Sequence, residues 1–478
     1  MNYKKTFLSC STFCIMFQLS AQLVLPNFFS DHMVLQQNDS IALWGWDTPN
    51  SPIEILTTWD QKSAVYTNDN GAWKIKLKTN KASFEPQAIE IKGSSKIKLS
   101  NVLIGEVWFC SGQSNMEMPI KGFKNSPING ANELIANAKN PYILLFNTER
   151  QGTLTPETNV KGTWEEADYK SVSEFSAIGY VFAKKIFENI NTPIGIIEAS
   201  WGGTIIEAWI PKDSLVQYSQ VKMAKNLAEN PMERKRPTQI YNGMIAPFKD
   251  FTIKGLLWYQ GESNRNNPEP YKNYMHTLVN SWRSQFKNNM LPFYFVQIAP
   301  YAYEKNRETP AIKAALIREA QLQAANEIKN SGMVVTADVG DCNDIHPPEK
   351  ILIAHRLAYW ALAKQYGFLQ LQYQSPTYKN FSITDDQIKL FFEEENNGSF
   401  QGLSSFGNDL EGFTMAGEDQ KFYPAEAIIN SDGSVTVTSN QVTKPVAVRY
   451  GFEDCFKGTL FDTAKLPISP FRTDRWTN

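Results

Sequence analysis

The chain has 478 residues, 42% hydrophobic and 20% charged, with a formal net charge of −2 at pH 7. That length asks for two or three domains, and the apolar fraction excludes a disordered chain. No long basic run is present, which excludes a nucleic-acid binder, since such a surface needs concentrated Lys and Arg to displace counterions.

The first residues read as an address. Lys4 and Lys5 precede an apolar run, Phe7 to Leu19, and Leu19-Ser20-Ala21 offers a cleavage site. Residues 1–21 are therefore expected to be a signal peptide, with a buried N-terminal helix as the alternative. The run falls short of the roughly 20 residues of a membrane span. Cys10 and Cys14 raise a lipid anchor, but Phe7-Leu8-Ser9-Cys10 lies early and lacks a Gly or Ala before the Cys. A secreted or periplasmic protein follows, with no membrane insertion after signal removal. Cys110, Cys342 and Cys455 remain, an odd count that is no disulfide framework. With four scattered His they give no metal-ligand spacing, so no metal is expected. The 12 Trp suit a core and also suit stacking on carbohydrate.

Residues 22–100 read as a small antiparallel sandwich. Ser40–Trp46 and Trp73–Leu77 alternate in polarity, and Asn70-Gly71 is a hairpin signal. From 101 to 370 the period changes. Apolar runs (Val102–Cys110, Tyr142–Phe146, Ile194–Ala199, Ile253–Tyr259, Phe293–Ile298, Met333–Thr336) alternate with amphipathic segments (Ser176–Ile190, Tyr271–Phe286, Ala311–Ile328, and about 350–365). Such alternation predicts an α/β domain: a parallel sheet covered on both faces. Residues 371–478 turn β-rich again, with Asp432-Gly433 as a turn.

Ligands of a parallel sheet sit beyond the carboxyl ends of its strands. The first strand ends in Gly112-Gln113-Ser114-Asn115-Met116, which leaves the Ser114 hydroxyl and N–H on a tight turn; a helix-capping Ser is the alternative. The third ends in Trp201-Gly202-Gly203-Thr204, where paired glycines let an N–H approach a ligand, or simply make a turn. The fourth ends in Gln260-Gly261-Glu262-Ser263-Asn264, bringing an amide donor and a carboxylate to the same edge, or an ordinary polar loop. A serine nucleophile needs a base. His32 lies in the β segment, and His276 and His355 lie in helical patterns. By elimination His346, in Asp344-Ile345-His346-Pro347, is the base.

These blocks resemble the sialate O-acetylesterase family, in the same order and on the same strand ends. The resemblance extends to Phe29–Gln36 and to Ser469–Asp474, and so covers nearly the whole mature chain. It implies an SGNH-type three-layer α/β/α domain flanked by N- and C-terminal β-rich segments. It also implies a serine esterase acting without cofactor on an O-acetylated sugar or glycan. Ser114 and His346 would be catalytic, with an oxyanion hole from the N–H groups of Ser114 and Gly202 or Gly203 and the Gln260 amide. Gln260 stands where the wider SGNH group has Asn, and Asn343 where many members have Asp. The third triad member is therefore Asp344 or a main-chain carbonyl of 341–344, with Asp338 and Asp341 more distant options. A sialic acid would be the substrate, and Glu262, Arg265 and Arg318 are candidate substrate contacts, the arginines for its carboxylate; both arginines could equally be surface or packing residues. Deacetylation of acetylated xylan or pectin, and a non-catalytic carbohydrate-binding protein, are the alternative readings.

Overall fold

Continuous apolar strands cannot leave either face in water, so the helices between them must cover both. The computed structural model describes residues 22–226, 233–304, 311–393 and 402–476; the expected signal peptide, with Cys10 and Cys14, lies outside them. The N-terminal strands are β1 (Val34–Gln36), β2 (Ser40–Trp46), β3 (Pro52–Thr57), β4 (Lys62–Tyr66), β5 (Ala72–Lys78) and β6 (Ser83–Lys92). The central ones are β7 (Lys96–Gly112), β8 (Asn140–Asn147), β9 (Trp164–Ala167), β10 (Ile194–Ser200), β11 (Gly255–Tyr259), β12 (Phe293–Val296) and β13 (Ser331–Val334). Their order is β13-β12-β11-β7-β10-β8-β9, all parallel except the edge strand β9.

Successive side chains of a strand point to opposite faces, and β7 shows the result. Trp108 and Cys110 join one core with helices α2 (Ala177–Ile190) and α5 (Lys350–Gln365). Val107 and Phe109 join the other, with α3 (Tyr271–Gln285) and α4 (Lys313–Glu327). The tryptophans belong chiefly to these cores: Trp108, Trp209, Trp258 and Trp282 are wholly buried.

Two expectations change. The boundary near residue 100 falls inside β7, whose 17 residues serve two layers. Its first half alternates and pairs antiparallel with β6, Ile91 opposite Ile97; its second half is buried throughout and lies between β10 and β11. The Asn70-Gly71 turn closes no hairpin either. It carries the chain from β4, paired with β3, to β5, paired with β2 in the other layer of the N-terminal unit. The Asp432-Gly433 turn does join paired strands, Glu426–Ile429 and Val435–Thr438.

The C-terminal β segments are fastened to the α/β unit. Arg472 grips Glu319 of α4 with two hydrogen bonds of 2.8 Å, and Phe456 enters the α3/α4-side core. Cys342 and Cys455 are disulfide-bonded across a sequence separation of 113, while Cys110 is free and buried. The odd count thus hid one bond. It ties the loop carrying His346 to the C-terminal region. Cys455→Ser should remove about 2–4 kcal/mol of chain constraint and lower the thermal midpoint by several degrees. An unchanged melting curve would show that the bond carries no stability.

Candidate active site

Four strand ends converge. Gly112, at φ +147°, ends β7 where an added Cβ would stand 2.2 Å from the Tyr259 carbonyl, so only glycine lets the turn cross the end of β11. The chain then enters the short helix α1 (Ser114–Glu117). The Ser114 N–H accordingly has no hydrogen-bond acceptor among the described residues. Ser114 Oγ lies 3.0 Å from His346 Nε2.

The loop after β13 holds the imidazole on several sides. Asp344 Oδ1 accepts the His346 backbone N–H at 2.9 Å and lies 3.4 Å from Nδ1, an ion-pair contact longer than an ordinary hydrogen bond. The short side chain does curl back onto its own loop. Phe123 meets the ring edge-on at 5.2 Å. The other acidic options are engaged elsewhere: Asp338 forms a two-pronged pair with Arg356, and Asp341 accepts the Asn343 N–H. Nor do the other histidines approach Ser114. His32 faces Glu166, His276 faces Glu327, and His355 sits on α5 near Tyr359.

Asn115 binds the pieces together. Its Nδ2 donates to Glu262 Oε1 (2.5 Å) and to the Ile345 carbonyl (3.1 Å), while its Oδ1 accepts from Lys350 Nζ (2.8 Å). Lys350 also donates to the Pro347 carbonyl at 2.8 Å. Burial pushes the Glu262 carboxyl up and lowers the Lys350 ammonium to about 7. Burial first, then the Lys350 charge, lowers His346 below 6.5, against a smaller upward pull from Asp344.

Several expected roles do not survive this geometry. Gln260 is wholly buried, and both its amide hydrogens are taken, by the Thr204 carbonyl at 2.9 Å and Asn264 Oδ1 at 2.8 Å. It braces two loops and has no proton for an oxyanion. Glu262 is buried, and one of its carboxylate oxygens accepts from Asn115. The Gly202 N–H donates to Glu117 Oε2 at 2.8 Å, although Gly202 packs on Ser114. Gly203 keeps a free N–H among the described residues and takes φ +75°, the left-handed turn that glycine allows; the Arg234 side chain lies over it. Arg318 is wholly buried, donates to the Glu453 and Asp454 carbonyls and faces the Phe456 ring. Arg265 stacks on Tyr303 at 4.4 Å. Among the described residues no cluster of His, Cys, Asp or Glu could hold a metal.

Asn115 and Lys350 were missed. Asn115 directly follows Ser114 in the motif, which was a usable signal; a lysine opening an apolar helix was not.

A family model described as carbohydrate esterase, sialic acid-specific acetylesterase, matches residues 104–359. The mouse sialate O-acetylesterase is 25% identical, over 93% of each chain. The human one is 27% identical over 73% of this chain and 72% of its own. A crystal structure of a novel carbohydrate acetylesterase from Xanthomonas citri superposes with a TM-score of 0.85 at 32% identity, covering 95% of this chain and all of that one.

Because the Lys350 cation disfavours an imidazolium beside it, Lys350→Met should move the His346 ring titration, followed by NMR, to higher pH. A midpoint that stays put or falls would show that Lys350 does not act on His346.

Proposed function

The chain belongs to the sialic acid-specific acetylesterase family of carbohydrate esterases, and on that footing we propose that it removes O-acetyl groups from sialic acids through an acyl-enzyme on Ser114. The observation that carries the mechanism is the 3.0 Å contact between Ser114 Oγ and His346 Nε2. Ser114 attacks the acetyl carbonyl as His346 takes its proton. The imidazolium then protonates the departing sugar oxygen, and water, activated by the same ring, releases acetate. Asp344 steadies the imidazolium from the Nδ1 side. The N–H groups of Ser114 and Gly203 receive the oxyanion; each such donor is typically worth about 3 kcal/mol in the transition state. No cofactor is required.

Arg318, wholly buried, does not reach a sialate carboxylate. Arg234, exposed and lying over Gly203, is assigned that role, with Arg265, stacked on Tyr303, as the alternative. A second reading, deacetylation of an acetylated plant polysaccharide, uses the same chemistry. The likeness to the Xanthomonas citri protein, described as a carbohydrate acetylesterase, fits either substrate. A secreted or periplasmic location is supported by the Cys342–Cys455 bond, which suits an oxidising compartment. Among the described residues no helix is long and apolar enough to cross a membrane.

Ser114→Ala and His346→Ala should each abolish acetate release while keeping the fold. A cleanly folded variant retaining a tenth of wild-type kcat would refute the assignment. Asp344→Asn should lower kcat, by up to about 10⁴-fold on the analogy of serine proteases; a loss under about threefold would remove Asp344 from the triad.

The base must be neutral, and its lowered pKa keeps it so at pH 7. The acidic limb of kcat/KM should therefore have its midpoint below 6.5. A midpoint above 6.5 would contradict the burial argument. Acetate release from acetyl-xylan but not from acetylated sialic acid would overturn the choice of substrate.

A further inference from the structure

Beside the nucleophile turn lies a cleft of about 370 Å³ that the acyl-enzyme chemistry leaves unused. Its wall is made by the carboxyl ends of two strands: Thr148 follows β8, and Glu198 and Ser200 close β10. These side chains are 4%, 4% and 2% exposed. Thr148 Oγ1, Glu198 Oε1 and Ser200 Oγ have no hydrogen-bond partner among the described residues. A buried polar atom left unmet is costly, so three of them in the lining of one cleft mark a wall that a bound molecule would complete.

The cleft meets the catalytic centre at two points. Glu117 lines it and holds the N–H of Gly202, on which Ser114 packs. Phe123 lines it and touches the His346 ring. A group held here would belong to a molecule whose ester reaches Ser114.

The chemistry of the wall selects the ligand. Two hydroxyls can each donate and accept. Glu198 adds a carboxyl oxygen that meets no partner, and burial first, then the neighbouring Glu117 charge, pushes that carboxyl up, towards the form that carries a donor. Arg150 is the cation in the lining, and it is already paired with Glu117 Oε1 at 2.5 Å. Glu149 and Glu174 stand in the lining as well. A carboxylate or phosphate would meet more negative charge than positive. A neutral polyol, matching donors and acceptors one for one, meets no such penalty.

We propose that this cleft is a subsite for neutral hydroxyl groups of the acetylated sugar, with Thr148, Glu198 and Ser200 as its specificity-determining wall. The proposal rests on the esterase reading above. Two sources share the chemistry, the glycerol side chain of a sialic acid and the ring hydroxyls of a neutral sugar.

The test compares Thr148→Val, Ser200→Ala and their combination with wild type on three substrates: 4-nitrophenyl acetate, 9-O-acetyl-N-acetylneuraminic acid and acetyl-xylo-oligosaccharide. For the double variant, kcat/KM on a sugar ester should fall about tenfold or more relative to kcat/KM on 4-nitrophenyl acetate. A selective loss on the sialic acid ester identifies the glycerol side chain, and one on the xylan ester identifies ring hydroxyls. Glu198→Gln, which keeps a donor and an acceptor, should retain most of the sugar preference. Equal losses on every substrate, or no loss on any, would overturn the subsite and leave a cleft that holds only water. Wild-type protein inert on all three esters would instead sink the esterase reading beneath it.

Discussion

The site depends on the side chain of one neutral residue, Asn115. Its amide makes three hydrogen bonds to three separate parts of the chain: the turn after β11, the loop bearing His346, and the start of α5. Because Asn115 adjoins Ser114, fixing its side chain also fixes where the Ser114 hydroxyl stands relative to the His346 ring. An amide suits the task because it donates on one side and accepts on the other. A carboxylate there would face Glu262 with like charge, and an apolar residue would take the side-chain donor from Glu262 and leave Lys350 only the Pro347 carbonyl.

Those two charges explain the electrostatics of the catalytic loop. Burying an ammonium or a carboxylate is costly unless the group is hydrogen-bonded and compensated. Lys350 and Glu262 do not touch; Asn115 stands between them and relays the interaction. Burial and the Lys350 charge both lower the His346 pKa and so favour its neutral ring, while Asp344 pulls the other way. The imidazole is thus held between two opposed charges.

How much of this was legible in the sequence follows from the range of each signal. The alternation of apolar runs and amphipathic segments is local, and it located β7, β8 and β10 to β13 and the helices between them to within a few residues at most ends. Ser114 and His346 were legible because strand ends and a short list of histidines leave few choices, and the structure brings them together. Gln260 and Glu262 were placed at the right edge, but a sequence does not say whether an amide's protons are already engaged, and Thr204 and Asn264 engage both of those of Gln260. For Arg318 the packing alternative is the one the structure shows, its partners lying more than a hundred residues away. The Cys342–Cys455 pairing and the double duty of β7 are long-range facts that no local pattern records.

That double duty of β7 has a structural consequence for how the molecule can be divided. A strand that starts in one layer and finishes as the centre of another cannot be cut without opening both. The N-terminal β layer is therefore no appendage that could be trimmed away or exchanged for a different module, as a tethered binding domain could. It is the near end of the same beam that carries Ser114 at its far end. The position of Ser114 is thus set through a single strand by residues as distant as Lys96, and neither layer can be altered at β7 without disturbing the other.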